Sequence, residues 1–391
     1  MRILSNDALA TLLLTSNLIK QNEVKAFTLL QWNKLARQIK DSTYKSPAEL
    51  FNKSSQAIMN DLFLDKETAD RIVVRLGKAE LIVKELEALN SLGISVVTRA
   101  DSDYPRFLRT RLKEQAPSHF FYSGNIESLT KQAIGMVGSR NADEESLEFT
   151  RRFVNDASNE GFAVVSGGAK GVDITAQEEA IKSGGFAISY LHSDLEKWVR
   201  KKEIRKQIDE DRLILLSSVE PRARFQGYNA MARNKYIYCQ SKATVVVASS
   251  TSGGTWEGAK ENIKYKWVPI LVREANKTLE GNRALLEVNS NNPYVRALKT
   301  QLKYDIKALL LEYDFEHINS FQTKKSRKNS YDAFNLVAPS LKELMLSNKS
   351  NHEICNELNV NLEQVNIWVE RVNNELIRKN SNPEVIQDKL F

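Results

Sequence analysis

The ten residues VVSGGAKGVD, 164–173, join a short apolar run to an amphipathic stretch through three glycines and one lysine. The apolar run 162–165 reads as a buried strand and 174–182 as a helix, so the decapeptide is a strand–turn–helix junction. Gly167, Gly168 and Gly171 allow positive φ or a close approach of backbone, while Ser166 and Lys170 bring polar groups to the same turn. Asp173 is placed to cap the helix that follows. The grammar repeats in both directions along the chain. Apolar runs at 133–137, 186–191, 213–216, 244–248 and 267–272 alternate with helical stretches such as 144–158. Strands alternating with helices predict βαβ units and a mainly parallel sheet covered on both faces, which is an α/β fold. Ligands of such folds bind beyond the carboxyl ends of the strands, where glycine turns feed helix N-termini.

Three further segments resemble that junction in composition. GMVGSRN (135–141) follows a strand and offers the amides of Gly138 and Ser139 beside the fixed charge of Arg140. GYNAMARNKYI (227–237) places Arg233 and Lys235 ahead of an expected helix and strand. ASSTSGGTWEGA (248–259) opens a helix with Ser252, Gly253, Gly254 and Thr255. Gathered at one end of the sheet, these groups form a phosphate-binding surface. The pattern GxxxxGK[ST] is absent, and so is a GxGxxG fingerprint with a ribose-binding acid, which excludes the P-loop ATPase and dinucleotide dehydrogenase classes. No cofactor is expected. A separate run, KWVRKKEIRK (197–206), carries six Lys or Arg in ten residues and is either a solvated helix face or a track for a phosphate backbone.

The chain has 391 residues, 42% hydrophobic and 27% charged, enough for two or three domains with real cores. The net charge of +7 is modest, and its location matters more than its size. Cys239 and Cys355 stand far apart and the four histidines form no pair with them, so neither a structural zinc site nor a disulfide framework is expected. That usage fits a reducing cytoplasm. The run LATLLL (9–14) is too short for a membrane span. Composition divides the chain into a helical segment 1–90, a strand–helix domain 91–318, a polar basic linker 319–330 and a helical tail 331–391. The tail reads as helix–turn–helix, with a short helix at 352–358, a turn at 359–361 and a longer helix from about Leu362. Three acids, Glu363, Glu370 and Glu375, against Arg371 and Arg378 make that helix a poor reader of duplex DNA and favour a protein contact.

As an ordered set these blocks resemble the DNA-processing protein A family, also called DprA or Smf. LGISVVTRADSDYPRFLRTRL with FFYSGN is similar to the family's lead-in, including the Asp–x–Asp–Tyr–Pro element at 101–105; GSR at 138–140, SGGAKGVD at 166–173, ARNKYI at 232–237 and SGGT at 252–255 are similar to its loops. The resemblance covers roughly 90–290. It implies an extended Rossmann-like sheet core, a helical N-terminal domain and a helix-turn-helix or winged-helix-like C-terminal domain. It also implies a homodimer that binds and protects single-stranded DNA and helps load a RecA-type recombinase, as in natural transformation, without catalysis, metal or membrane attachment. Carried over by position, Arg140, Lys170, Arg233 and Lys235 bind phosphates, and Gly138, Gly167, Gly168 and Gly171 let backbone amides approach. Phe225 or Tyr228 is available to stack bases.

The sequence departs from the family at Gln177, where a histidine is usual, and at SSVEP, where Ser218 or Val219 replaces a glutamate. The loop SGGTWE is similar to that of the Lonely Guy phosphoribohydrolases, which pair an Arg with a Glu. On that resemblance Arg233 and Glu257 would break an N-glycosidic bond, making the chain a nucleotide-hydrolysing enzyme or sensor of the same fold, a role suited to defence against phage. A helix-dipole role for Glu257 is the plainer alternative.

Overall fold

The computed structural model describes residues 4–19, 24–275, 279–312 and, with gaps, 341–373. By internal contacts the chain forms two compact units, Met1–Tyr313 and Asp314–Phe391. The first opens with five helices, α1 (Asn6–Thr15), α2 (Leu29–Asp41), α3 (Ser55–Leu62), α4 (Lys66–Leu76) and α5 (Ala79–Ser91). Ser5, Thr28, Ser54 and Asp65 cap the first four, each side chain accepting from a backbone amide three residues on. Arg75 ties the layer together from inside: Nε donates to the Leu13 carbonyl at 2.6 Å, Nη1 to Val24 at 3.0 Å and Nη2 to Ser16 at 2.5 Å. The guanidinium thus exchanges water for three carbonyls that would otherwise lack donors.

A mixed sheet of nine strands follows: β1 (Ser95–Thr98), β2 (His119–Ser123), β3 (Ala133–Val137), β4 (Ala163–Ser166), β5 (Ala187–Leu191), β6 (Leu213–Ser217), β7 (Ala243–Val246), β8 (Ile270–Glu274) and β9 (Val295–Lys299). Their order is β1-β2-β6-β5-β4-β3-β7-β8-β9, parallel from β6 to β9 and antiparallel through β2 and β1. Helices alternate with the strands: α6 (Arg106–Leu112), α7 (Glu144–Asn159), α8 (Val172–Lys182), α9 (Leu195–Val199), α10 (Lys202–Asp209), α11 (Gly227–Gln240), α12 (Gly254–Tyr265), α13 (Glu280–Val288) and α14 (Ile306–Glu312). The central strands β3 to β7 are buried at every position, as coverage on both faces requires. The run expected at 267–272 enters the sheet only at Ile270. Pro269 has no amide to give, and Asn262 holds Val268 through both its amide and its carbonyl.

One sequence reading is corrected by the backbone. Arg233 and Lys235 do not precede a helix; they lie within α11. In the second unit, α15 (Asn351–Leu358) is joined by helical residues between 362 and 373, and Leu341, Ile354, Val365, Trp368 and Val372 form its apolar cluster. The linker 319–330 and the turn 359–361 lie outside the described residues. No helix among the described residues is long and apolar enough to cross a membrane.

His119 on β2 joins the helical layer to the sheet. Its Nδ1 lies 3.0 Å from Ser118 Oγ and 3.3 Å from Thr15 Oγ1 at the end of α1, and its ring meets Phe121 edge-on. Burial pushes its imidazole down from 6.5 to about 4, so the folded protein holds it neutral while the unfolded chain protonates it below 6.5. The resulting stability is complete above pH 6.5 and is lost as pH falls towards 4. Urea unfolding across that window should show a decline on the order of 3 kcal/mol from this group, and His119→Gln should flatten it. An equally steep decline in the variant would refute the assignment.

Candidate functional site

The parallel strands run outward from β3 in two directions, to β4, β5 and β6 on one side and to β7, β8 and β9 on the other. Connections therefore reverse between β3 and β7, which opens a crevice beyond their carboxyl ends. A cleft of about 390 Å³ occupies it, bordered by Gly138, Ser139 and Arg140 after β3, by Ser249, Ser250 and 252–255 after β7, and by the first half of α11.

The floor is an ion pair. Arg233, 4% exposed, donates from Nη1 to Asp173 Oδ2 at 3.4 Å, and the same oxygen accepts from the Gly167 amide at 3.1 Å. Asp173 stands in the first turn of α8, where the sequence reading made it a cap; Gly171 takes the cap position and Asp173 turns inward. Gly167 must be glycine because a Cβ there would fall 1.3 Å from Arg233 Nη1. Gly171 must be glycine for its φ of +76° and because a Cβ would meet the Ser139 carbonyl at 2.3 Å. Burial pushes the Asp173 carboxyl up, and Arg233 pulls it back. Arg233 Nε and the Tyr238 hydroxyl both belong to residues bordering the cleft, and neither atom has a partner among the described residues.

The rim is open and mixed in character. Arg140 is exposed, with its guanidinium 5.5 Å from the centre of the Phe225 ring. Phe225, Tyr228 and Met231 are 56%, 68% and 49% exposed, a concentration of large apolar side chains at one mouth. His192, just past β5, meets Phe225 edge-on at 5.0 Å. Burial, then Arg233 and Arg140, bring His192 down to about 4, so it is neutral at pH 7. Helices α11 and α12 begin at the cleft with no side-chain cap, as α5, α6, α9, α10 and α13 do elsewhere, while at the start of α8 the Val172 amide donates to the Ser139 carbonyl at 3.4 Å and the Ile174 amide to Ala169 at 2.9 Å. The first amides of α11 and α12 are thus available to an anion, and those of α8 are largely committed.

The structure gathers Gly138, Ser139, Arg140, Arg233, Ser252, Gly253, Gly254 and Thr255 around one space. Ser166, Gly167, Gly168, Lys170 and Gly171 form its adjoining wall, touching the cleft through Ala169. Ser166 is buried and Lys170 exposed. Lys235 lies off the cleft, with its ammonium pushed down by burial and 5.9 Å from the Tyr236 ring. The Arg233–Glu257 pairing expected for N-glycosidic chemistry does not form: Arg233 is held by Asp173, and the exposed Glu257 bonds Lys260 at 3.2 Å. The sequence reading missed His192 and Tyr238, which no turn motif marks. The departures from the family pattern serve packing, since Gln177 accepts from Ser189 Oγ beneath α8 and Ser218 bonds the Tyr236 hydroxyl.

A doubly wound α/β unit with an anion-suited cleft at its switch point is the class these features define. The sequence model of the family described as DNA recombination-mediator protein A matches residues 95–295, and the chain belongs to that family. The chain is 28% identical to DNA processing protein DprA of Streptococcus pneumoniae over 142 residues, 36% of this chain and 50% of that protein. It is 25% identical to DNA processing protein DprA of Bacillus subtilis over 201 residues, 49% of this chain and 67% of that protein. The match thus spans half of the pneumococcal relative. The X-ray structure of the pneumococcal protein superposes with a TM-score of 0.57 at 19% identity, covering 76% of this chain and 95% of that one, a likeness of fold.

Removing one partner of the floor pair strands the other charge in a buried place. Arg233→Met should therefore lower unfolding free energy by about 3–5 kcal/mol, and adding Asp173→Asn should recover part of that loss. Denaturant titration of the singles and the double checks the coupling. Strict additivity would show that the pair does not interact.

Proposed function

We propose that this chain is a non-catalytic DNA-processing protein that binds single-stranded DNA in the β3/β7 cleft. The observation that carries the reading is the mouth of the cleft, where the Arg140 cation stands over exposed Phe225 beside the uncapped N-termini of α11 and α12. Single strands are held by this combination: cations and amides follow the phosphates, and an aromatic face stacks with any base. Membership of the recombination-mediator family and the likeness to DNA processing proteins support the same reading. In this reading the protein works in the cytoplasm as a homodimer and passes the strand to a RecA-type recombinase. Residues 1–90 are a helical domain, 91–318 hold the strand, and the tail beyond the linker 319–330 makes protein contacts, with a helix-turn-helix or winged-helix-like form.

The test is fluorescence anisotropy with labelled poly-dT across a salt series, against a duplex of equal length. Affinity should favour the single strand and fall with salt. Arg140→Ala and Lys170→Ala should each weaken binding about five- to tenfold and reduce the salt slope by about 0.7, the share of one phosphate contact. Absence of binding at low salt, or equal affinity for duplex, would overturn the reading.

A further inference from the structure

The cleft does not account for the basic run 197–206. Arg200 pairs with Glu196 at 2.7 Å and Lys206 with Glu210 at 3.8 Å, the spacing of an ordinary solvated helix. Lys197, Lys201, Lys202 and Arg205 are exposed and have no carboxylate partner among the described residues. Two of them stand where folding disfavours a cation. Lys201 precedes α10 and Lys202 is its first residue, at the positive end of the helix dipole, with no side-chain cap and with Glu203 as the single acid of the first turn. Helix α7 shows the opposite and stabilising choice, with Asp143 as cap and Glu144 and Glu145 in its first turn. Together with Lys197 and Arg205, these cations without acidic partners make a surface suited to a polyanion.

This patch is continuous with the cleft on two sides. Gly168 packs on the Trp198 ring so closely that a Cβ would come within 3.3 Å of it, and the next residue, Ala169, borders the cleft. Lys201 Nζ lies 4.4 Å from the centre of that same ring. On the other flank the Asp194 amide donates to the Ala223 carbonyl at 2.9 Å and the Glu196 amide to Pro221 at 3.0 Å. Those bonds bind the start of α9 to the segment that carries exposed Arg224 and Phe225. Within the basic run the only acid is Glu203.

We infer that a single strand leaving the cleft past Phe225 continues over Trp198 and lays its phosphates on Lys201, Lys202 and Arg205. The inference rests on the single-strand reading of the cleft and extends it from one pocket to a path. The partner is a polyanion with evenly spaced charges, because separated cations without acidic partners suit repeated phosphates better than one compact ion.

The experiment compares two labelled thymidine oligomers, one of about six nucleotides that fills the cleft alone and one of about 25 that reaches further. The triple variant Lys201→Ala, Lys202→Ala, Arg205→Ala should bind the long oligomer about tenfold or more weakly, with a salt slope reduced by about 2, and bind the short one within about twofold of wild type. A charge-matched control, Lys131→Gln, Lys242→Gln, Lys266→Gln, alters residues at the amino ends of β3, β7 and β8, away from the cleft. It should leave both oligomers unaffected. Unchanged long-oligomer binding in the first variant, equal loss on both lengths, or equal loss in the control would each overturn the path while leaving the cleft. Wild-type protein that binds neither oligomer would overturn the cleft reading, and the path with it.

Discussion

The site is built on one buried ion pair, Arg233 with Asp173. Its two members come from α11 and the first turn of α8, elements separated by two strands in the chain, and the Gly167 amide makes the third corner. The pair fixes the loop after β4 against a helix that crosses to the other half of the sheet. A charge pair so enclosed gives uncertain net stability, because desolvation opposes the attraction. What it does give is position. Neither charge can leave without stranding its partner, so the pair holds the loop, α8 and α11 together.

That constraint explains the economy of the surroundings. Gly167 is small because Arg233 occupies the volume of a side chain there, and Gly171 because the Ser139 carbonyl does. The Ser139 amide in turn donates to the Ala248 carbonyl at 2.8 Å, which links the loops after β3 and β7 across the crevice. Asn234, one residue past Arg233, donates to the Gly254 carbonyl at 2.9 Å and sets the start of α12. The cleft walls are thus positioned by backbone and buried side chains, leaving Arg140 and Phe225 at the mouth free to meet a ligand. The unpartnered Arg233 Nε and Tyr238 hydroxyl belong with this arrangement, since a buried polar atom without a partner is costly unless something binds it.

Much of the fold was legible because β3 to β7 are buried on both faces and therefore read as continuous apolar runs. The loops after β3, β4 and β7 were legible because glycine and serine punctuate them. β1, β2 and β9 were not separated from their surroundings: β1 and β9 are the edge strands with partly exposed positions, and β2, though buried throughout, is a short antiparallel HFFYS run with a polar residue at each end. The ARNKYI segment was misplaced before a helix because its Arg and Lys resemble a strand-end loop in composition. Helical burial of Tyr236, Ile237, Tyr238 and Cys239 against the sheet overrides that likeness. Arg233 borders the cleft, but its contact could not be read: the resemblance pairs it with Glu257, Asp173 reads as a helix cap, and only the fold brings Asp173 to the guanidinium.

The same geometry bears on specificity. Reading a base requires donors and acceptors fixed opposite its edge, as a bidentate Asn or Gln would be. Around this cleft the exposed groups include a guanidinium, aromatic rings and the hydroxyls of Ser250 and Ser252, and the one amide side chain lining it among the described residues, Asn234, is committed to Gly254. Guanidinium and amides respond to phosphate, which every nucleotide carries, and the rings respond to a π-face, which every base carries. Under the proposed function, recognition would therefore be broad in sequence and strict in strandedness, because a paired base cannot present its face to Phe225. Under that function, tolerance of sequence would follow from what the cleft exposes, and discrimination against duplex from the aromatic rim.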